Sequence, residues 1–382
     1  MSTRVVLMAN NIDEVGGAQR VVHVVAGGLA ERGYLVDLVG VAPVTPRHDY
    51  GLDPAVRRFT LMSRPWPAPP TDRGWASRRS RATRDRIQER ASLREAAVAR
   101  LGEVLADGPP GVVVTSQLWA MEHLAEVPHD AWAVIGQYHS SFEAAAAGRD
   151  LPRALRLYRD VDAVTLLTPA DADAFRRAGL NNTGWLPNPL AFWPDAPVTP
   201  ADGPPVVTYL GRLSVEKGPT FLLDAWAQVA DRHPQWRLRF VGTGPEEGAV
   251  RTRAAALPAG ADRVEFAGAV TDSEEQLRGS GILALPSLTE GLPLALAEAM
   301  AMGLPCVATD CSAGVRLLAR DGSAARLVPR ADPDALAVEL DRLMGDPGRR
   351  AALGSLAREA VLPYRAPAVL DQWEGLLAAA LR

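Results

Sequence analysis

The chain runs to 382 residues, 47% hydrophobic and 23% charged, with a net charge of −4 and two cysteines, Cys306 and Cys311. Such values exclude a disordered polypeptide, a disulfide framework, a cysteine-built metal domain and a strongly basic nucleic-acid binder. The length suits two domains better than one core, and no apolar run approaches the roughly eighteen residues that a membrane span needs.

A first strand is expected at Arg4–Ala9. It starts so early that no room is left for a signal peptide, which makes a cytoplasmic location the expectation. Val21, Val22, Val25 and Leu29 then recur at helical spacing, and Arg32-Gly33 closes that helix. Further strands are expected at Leu35–Val41, Gly111–Thr115, Trp132–Gln137 and Ala163–Leu167. Strands alternating with amphipathic helices argue for an α/β domain, residues 1–188, with a parallel sheet covered on both faces. Inside it, residues 57–100 hold twelve arginines against four acids. That segment reads either as a solvated helix face or loop, or as a contact for an anionic acceptor or an acidic membrane surface.

Seven prolines between positions 187 and 205 read as a linker. The alternation then restarts with strands expected at Val206–Leu210, Arg237–Gly242, Val264–Ala267, Ile282–Leu285 and Pro305–Thr309, and a helix across Thr220–Ala230. Residues 189–361 thus make a second doubly wound domain, and ligands of such sheets lie at the carboxyl ends of the strands, here in a cleft between the two domains. Residues 362–382 read as a closing helix that crosses back to the first domain.

Of forty-one cationic residues only Lys217 is a lysine. It sits in Gly211-Arg212-Leu213-Ser214-Val215-Glu216-Lys217-Gly218, directly after a strand, where a parallel sheet holds phosphate. A second tract, Pro286-Ser287-Leu288-Thr289-Glu290-Gly291-Leu292-Pro293, leads from a strand into a helix expected to run to about Met302, with Pro293 in its first turn. The amides of Gly291 and Leu292 then point out of a helix N-terminus and suit a diphosphate. Glu290 at the loop lip and Glu298 inside the helix are placed to grip sugar hydroxyls and ribose hydroxyls on either side. Glu298 lies in an apolar helix, where an unpaired carboxylate is costly, although a solvent-facing helix position is the plainer account. For Glu290 the plainer account is an acid placed before a helix N-terminus.

The pairing of Gly-Arg-Leu-(x)3-Lys-Gly with Pro-Ser-(x)2-Glu-Gly-(x)6-Glu resembles the retaining glycosyltransferases of family four, which have the GT-B fold of two Rossmann-like domains. The likeness is dense over residues 206–330 and thinner in the N-terminal half. It implies a nucleotide-diphospho-sugar donor, UDP- or GDP-linked, transfer of a hexose-type sugar with retention of anomeric configuration, and no obligatory metal or other cofactor. By the same resemblance Arg212 and Lys217 clamp and stabilise the leaving diphosphate, Glu290 contacts the transferred sugar, and Gly291 and Leu292 meet the phosphates. Glu298 takes the ribose, and the segments holding Gly211, Gly244 and Val270 seat the nucleotide. Gly16-Gly17-Ala18-Gln19-Arg20 matches the family's Gly-Gly-Ala-(x)-Arg loop, whose amides approach the diphosphate or the acceptor; a turn that only starts a helix is the alternative. His139 stands where the family places a histidine facing the sugar, or is a structural histidine. The acceptor is left open among a polymer, a lipid-linked sugar and a small natural product.

One departure stands out. Cys311 to Leu318 replaces a Gly-Pro-Arg-Glu-Ile stretch of many relatives, with Leu317 in the glutamate's place. Rival readings are a glycoside hydrolase built on Glu290 and Glu298, a sugar-nucleotide epimerase or phosphorylase of the same fold, and a binding protein without turnover. Asp171-Ala172-Asp173 has the spacing of a metal-binding pair, but Thr168-Pro169 before it reads as a helix cap.

Overall fold

A computed structural model of the chain describes residues 2–48, 50–67, 81–198 and 203–382. They form two compact units. Residues 1–139, 149–186 and 370–382 make the first, and residues 140–148 with 187–369 make the second.

The first unit is built on a seven-stranded sheet. Its strands are β1 (Arg4–Ala9), β2 (Leu35–Gly40), β3 (Arg57–Thr60), β4 (Val112–Thr115), β5 (Ala133–Tyr138), β6 (Ala163–Leu166) and β7 (Thr183–Trp185). They run in the order β3-β2-β1-β4-β5-β6-β7, and every pairing is parallel. Val5, Val6, Leu7 and Met8 are buried on both faces of β1, which is why the strand reads as an unbroken apolar run and not as an alternation. Order reverses between β1 and β4, and there the Asn10 amide donates to Gln117 Oε1 at 2.7 Å. Of the closing segment, only residues 370–382 group with this unit, where Arg32 pairs with Asp371 at 2.8 Å and Glu374 at 2.5 Å.

The second unit holds β8 (Val206–Leu210), β9 (Arg237–Val241), β10 (Val264–Gly268), β11 (Ile282–Leu285), β12 (Cys306–Thr309) and β13 (Arg326–Val328). Their order is β10-β9-β8-β11-β12-β13, again all parallel. Helices Pro219–Val229 and Pro333–Gly345 cover one face. Trp226, Leu222, Leu340 and Phe240 are fully buried there. The order reverses between β8 and β11, so the loops carrying Lys217 and Glu290 leave the sheet at its switch point, where an open parallel sheet parts its loops for a ligand.

Three edge strands were not expected: β3, β7 and β13. The helix after β11 begins at Leu294, with Pro293 as its cap, and ends at Ala301. The arginine-rich segment contains β3 and the start of a long helix, Arg81–Ala106. Within it Arg57 pairs with Asp37, Arg58 with Asp13, Arg64 with Glu89 and Arg94 with Glu126. Arg90 lies over the Trp66 ring. Arg81, Arg84 and Arg86 are exposed on the first turns of the helix, whereas Arg73, Arg78 and Arg79 lie outside the described residues.

Candidate active site

Three loops at the carboxyl ends of β8, β9 and β11 are joined through their backbones. The Gly211 amide donates to Val241 O and the Leu213 amide to Thr243 O, both at 2.9 Å; the Leu288 amide donates to Glu216 O at 2.8 Å. Glycines permit this closeness. A Cβ on Gly242, whose φ is +129°, would stand 2.0 Å from Gly211 O, and one on Gly244 2.2 Å from Leu213 O. Gly218, in the left-handed region at φ +60°, ends a short 3₁₀ turn over Val215–Lys217, and a Cβ there would stand 2.3 Å from Pro286 O.

That turn delivers Lys217 to Glu290. The ammonium donates to Oε1 at 2.7 Å and to Oε2 at 2.8 Å, with the lysine side chain 30% exposed and the carboxylate 6%. Ser287 Oγ donates to Oε1 at 2.7 Å. Glu290 is therefore fixed from both sides and is no free surface acid at a helix tip. Arg212 is exposed, and its guanidinium makes no ion pair among the described residues. Its carbonyl accepts from the Tyr209 hydroxyl at 2.6 Å. Burial opposes ionisation of Glu216, but the Ser214 hydroxyl, the residue's own amide and the charges of Lys217 and Arg212 outweigh it and hold that carboxyl below its usual range. Burial, and then the charge of Glu290, push the Cys311 thiol up to about 11.

Beyond Glu290 the chain passes Gly291 and Leu292, whose amides take no hydrogen bond among the described residues. They are open donors in the turn just before Pro293, the cap of helix Leu294–Ala301. Ser312 Oγ donates to Gly291 O at 3.2 Å, and a Cβ on Gly314 would stand 1.9 Å from the same oxygen. Glu298 is 2% exposed, and Ser273 Oγ donates to its Oε2 at 2.9 Å. It is a buried, hydrogen-bonded carboxylate, not a solvent-facing one. Val270 is half-buried in the loop after β10.

In the first unit, Gly16 caps helix Gly17–Glu31 in an extended conformation. The Gly16 amide is already taken, donating to the Tyr50 hydroxyl at 2.9 Å, while that hydroxyl donates to Glu14 O at 2.7 Å. Tyr50 also packs against His23 and His48, with ring centroids 4.5 and 4.3 Å away. Gly17 keeps an amide without a hydrogen bond among the described residues. His139 is half-buried at the carboxyl end of β5. Asp171 is engaged by its cap, accepting from Thr168 Oγ1 at 2.6 Å, and Asp173 pairs with Arg176 at 2.5 Å. Among the described residues no cluster of three or more His, Cys, Asp or Glu side chains could hold a metal ion.

Ser287, Thr309, Ser312, Gly314 and Ser273 were not singled out in the sequence. Their signal was slight: small polar residues at strand ends and helix starts, which capping also explains.

A lysine paired with a buried carboxylate thus lies beside the open Gly291 and Leu292 amides at the switch point of a parallel sheet. Residues 204–346 match the family described as glycosyl transferases group 1. The matched stretch lies within the second unit, and the chain has the GT-B fold of the solved structures it resembles. It is 28% identical to an uncharacterized glycosyltransferase of Haemophilus influenzae over 371 residues, 96% of this chain and 98% of that one. A phosphatidyl-myo-inositol mannosyltransferase of Mycolicibacterium smegmatis is 36% identical over 183 residues, 46% of each chain. The structure of Anabaena HepE in complex with UDP superposes with a TM-score of 0.75 at 19% identity, over 98% of this chain and 100% of that one.

Proposed function

We propose that the chain moves a hexose-type sugar from a nucleotide-diphosphate donor to an acceptor hydroxyl, with retention of anomeric configuration and without a metal. The observation that carries the reading is the Lys217–Glu290 pair beside the open Gly291 and Leu292 amides. In this reading the diphosphate lies on those amides and draws the Lys217 ammonium, with Arg212 swinging in from solvent. Glu290 accepts hydrogen bonds from hydroxyls of the sugar, and Glu298 from those of the ribose. The UDP complex of HepE and the mannosyltransferase name of the mycobacterial relative support this donor class. His139, Gly16 and Gly17 belong to the same reading through the family resemblance, though the Gly16 amide must first give up Tyr50.

Chemically, the bond from the anomeric carbon to the diphosphate oxygen breaks, and the acceptor oxygen bonds that carbon on the same face. The acceptor proton passes to the departing diphosphate oxygen. A cation about 4 Å from that oxygen contributes roughly 4 kcal/mol at an effective dielectric of 20. Lys217 and Arg212 would supply such charge, and closure against water would limit hydrolysis.

The group 1 match favours transfer over the epimerase, phosphorylase and hydrolase readings. Among the described residues no helix is long and apolar enough to cross a membrane. We place the protein in the cytoplasm, with the exposed Arg81, Arg84 and Arg86 favouring an anionic or membrane-borne acceptor. The test is turnover of a panel of UDP- and GDP-sugars in excess chelator, with the anomeric proton of the product read by NMR. Retention with undiminished rate is expected. Inversion, or dependence on added metal, overturns the mechanism, and donor isomerisation without transfer overturns the function.

A further inference from the structure

Glu290 accepts from two partners, the Lys217 ammonium and the Ser287 hydroxyl. On the reading above, the donor diphosphate competes for the Lys217 ammonium, a flexible point charge with three donors. A carboxylate this buried cannot turn to solvent for replacement. The other side of Glu290 is built differently. Ser287 is fully buried, its Oγ donates to Oε1 at 2.7 Å, and its own carbonyl accepts from Thr309 Oγ1. Thr309, the last residue of β12 and 2% exposed, also reaches Leu285 O at 3.4 Å. Thr309 on the neighbouring strand thus holds the backbone of Ser287, whose hydroxyl in turn holds the carboxylate. Both side chains are short and enclosed, so neither can follow the ligand as lysine can.

We propose that Ser287 and Thr309 are positioning residues of the transfer reaction, holding the Glu290 carboxylate at the sugar while Lys217 is drawn to the diphosphate. Thr309 acts through the backbone of Ser287, and Ser287 acts on the carboxylate directly. The inference rests on the proposed transferase reading. It also gives the end of β12 and the turn after it a part in the site: Thr309 holds Ser287, and Ser312, within the stretch that departs from many relatives, holds Gly291.

The experiment compares Ser287→Ala, Ser287→Thr and Thr309→Val with the intact chain. It measures UDP and GDP affinity by calorimetry and turnover of UDP-glucose and GDP-mannose. Removing a hydrogen bond to a charged group should lower kcat between about tenfold and a hundredfold in Ser287→Ala, with nucleoside diphosphate Kd held within about twofold. Ser287→Thr should restore most of the rate, and Thr309→Val should show a smaller loss of kcat alone. Should Ser287→Ala not fold, Thr309→Val carries the same expectation. Unchanged kcat in Ser287→Ala and Thr309→Val overturns the inference, as does a loss of diphosphate affinity in step with thermal stability. Lys217→Ala is measured alongside. Full turnover in that variant sinks the transferase reading itself, whereas a dead Lys217→Ala beside a fully active Ser287→Ala sinks only the positioning role.

Discussion

Lys217 Nζ reaches both carboxylate oxygens of Glu290 across seventy-three residues of sequence, at 2.7 and 2.8 Å. The carboxylate is nearly enclosed and the ammonium is not, so the two members of the pair are unequal. Removing Lys217 strands a buried anion, whereas removing Glu290 leaves an ammonium that can turn to water.

From that inequality, Lys217→Ala should cost more stability than Glu290→Gln. About 1–3 kcal/mol is expected for the unsatisfied carboxylate, and less than about 1 kcal/mol for the amide, which keeps the Ser287 hydrogen bond. Both should lose roughly a hundred- to a thousandfold in turnover. The double variant Lys217→Met/Glu290→Gln should regain stability without regaining activity. Urea unfolding and donor turnover, measured on all three, separate the two effects; parallel losses in both would contradict the assignment.

Gly314 makes a second, steric prediction. Its missing Cβ would sit 1.9 Å from Gly291 O, while Gly27, in helix Gly17–Glu31, has no atom within 4 Å of its own. Gly314→Ala must therefore push the Gly291 turn away and misaim its amides. Nucleoside diphosphate affinity should fall at least about tenfold, the loss of roughly one charge-assisted hydrogen bond. Gly27→Ala should leave binding alone and add up to about 1 kcal/mol of stability, because alanine is the better helix former. Equal binding in the two variants would dissociate the Gly291 amides from the ligand.

Much of this site could be read in the sequence because its parts are local. A lone lysine after an apolar run, and a Glu-Gly step before a helix, each carry their own geometry. The central strands were legible for a related reason: β1, β8 and β11 are buried on both faces and, apart from Arg4 and Thr208, apolar. Three of the four edge strands, β3, β7 and β13, were not. β3 is Arg57-Arg58-Phe59-Thr60, whose arginines are taken up by Asp37 and Asp13 from elsewhere in the unit. β7 and β13 have three residues each, too short for any period. The support that Thr309 gives the Ser287 backbone was hidden because it depends on β12 lying beside β11, which only the sheet order reveals. Tyr50 on the Gly16 amide was hidden likewise, being thirty-four residues away.

Glu122 offers a pH test in the first unit. The Arg153 hydrogen bond at 2.7 Å is the main reason its carboxyl lies below the usual range, with the charges of Arg153, Arg94 and Arg156 adding and burial opposing. A depressed native value means that the ionised form stabilises the fold above the unfolded-state pKa of about 4.3. The contribution fades as pH falls through the native value. Glu122→Gln should therefore cost up to about 1 kcal/mol at pH 7, given the partial exposure of the pair, and nothing near pH 2. Chemical unfolding at the two pH values reads the difference directly, and a pH-independent cost would assign it to packing.

Glu298 bears on which nucleotides are accepted. Its carboxylate is buried inside an apolar helix and takes a hydrogen bond from Ser273, the first residue of the helix that follows the β10 loop. That placement ties the carboxylate to the loop expected to seat the base. If Glu298 receives the ribose hydroxyls, the intact chain should bind UDP or GDP more tightly than the 2′,3′-dideoxy forms, by about 1.5–3 kcal/mol for hydrogen bonds to a charged group. Glu298→Gln keeps an acceptor for Ser273 and the volume of the side chain, so the fold should survive it. The ribo-over-dideoxy preference should shrink by roughly tenfold or more, while dideoxy affinity stays near that of the intact chain. Calorimetric titration of both nucleotides into both proteins decides the matter. An undiminished preference in Glu298→Gln would make the carboxylate a structural partner of Ser273, and ribose recognition would have to come from another residue.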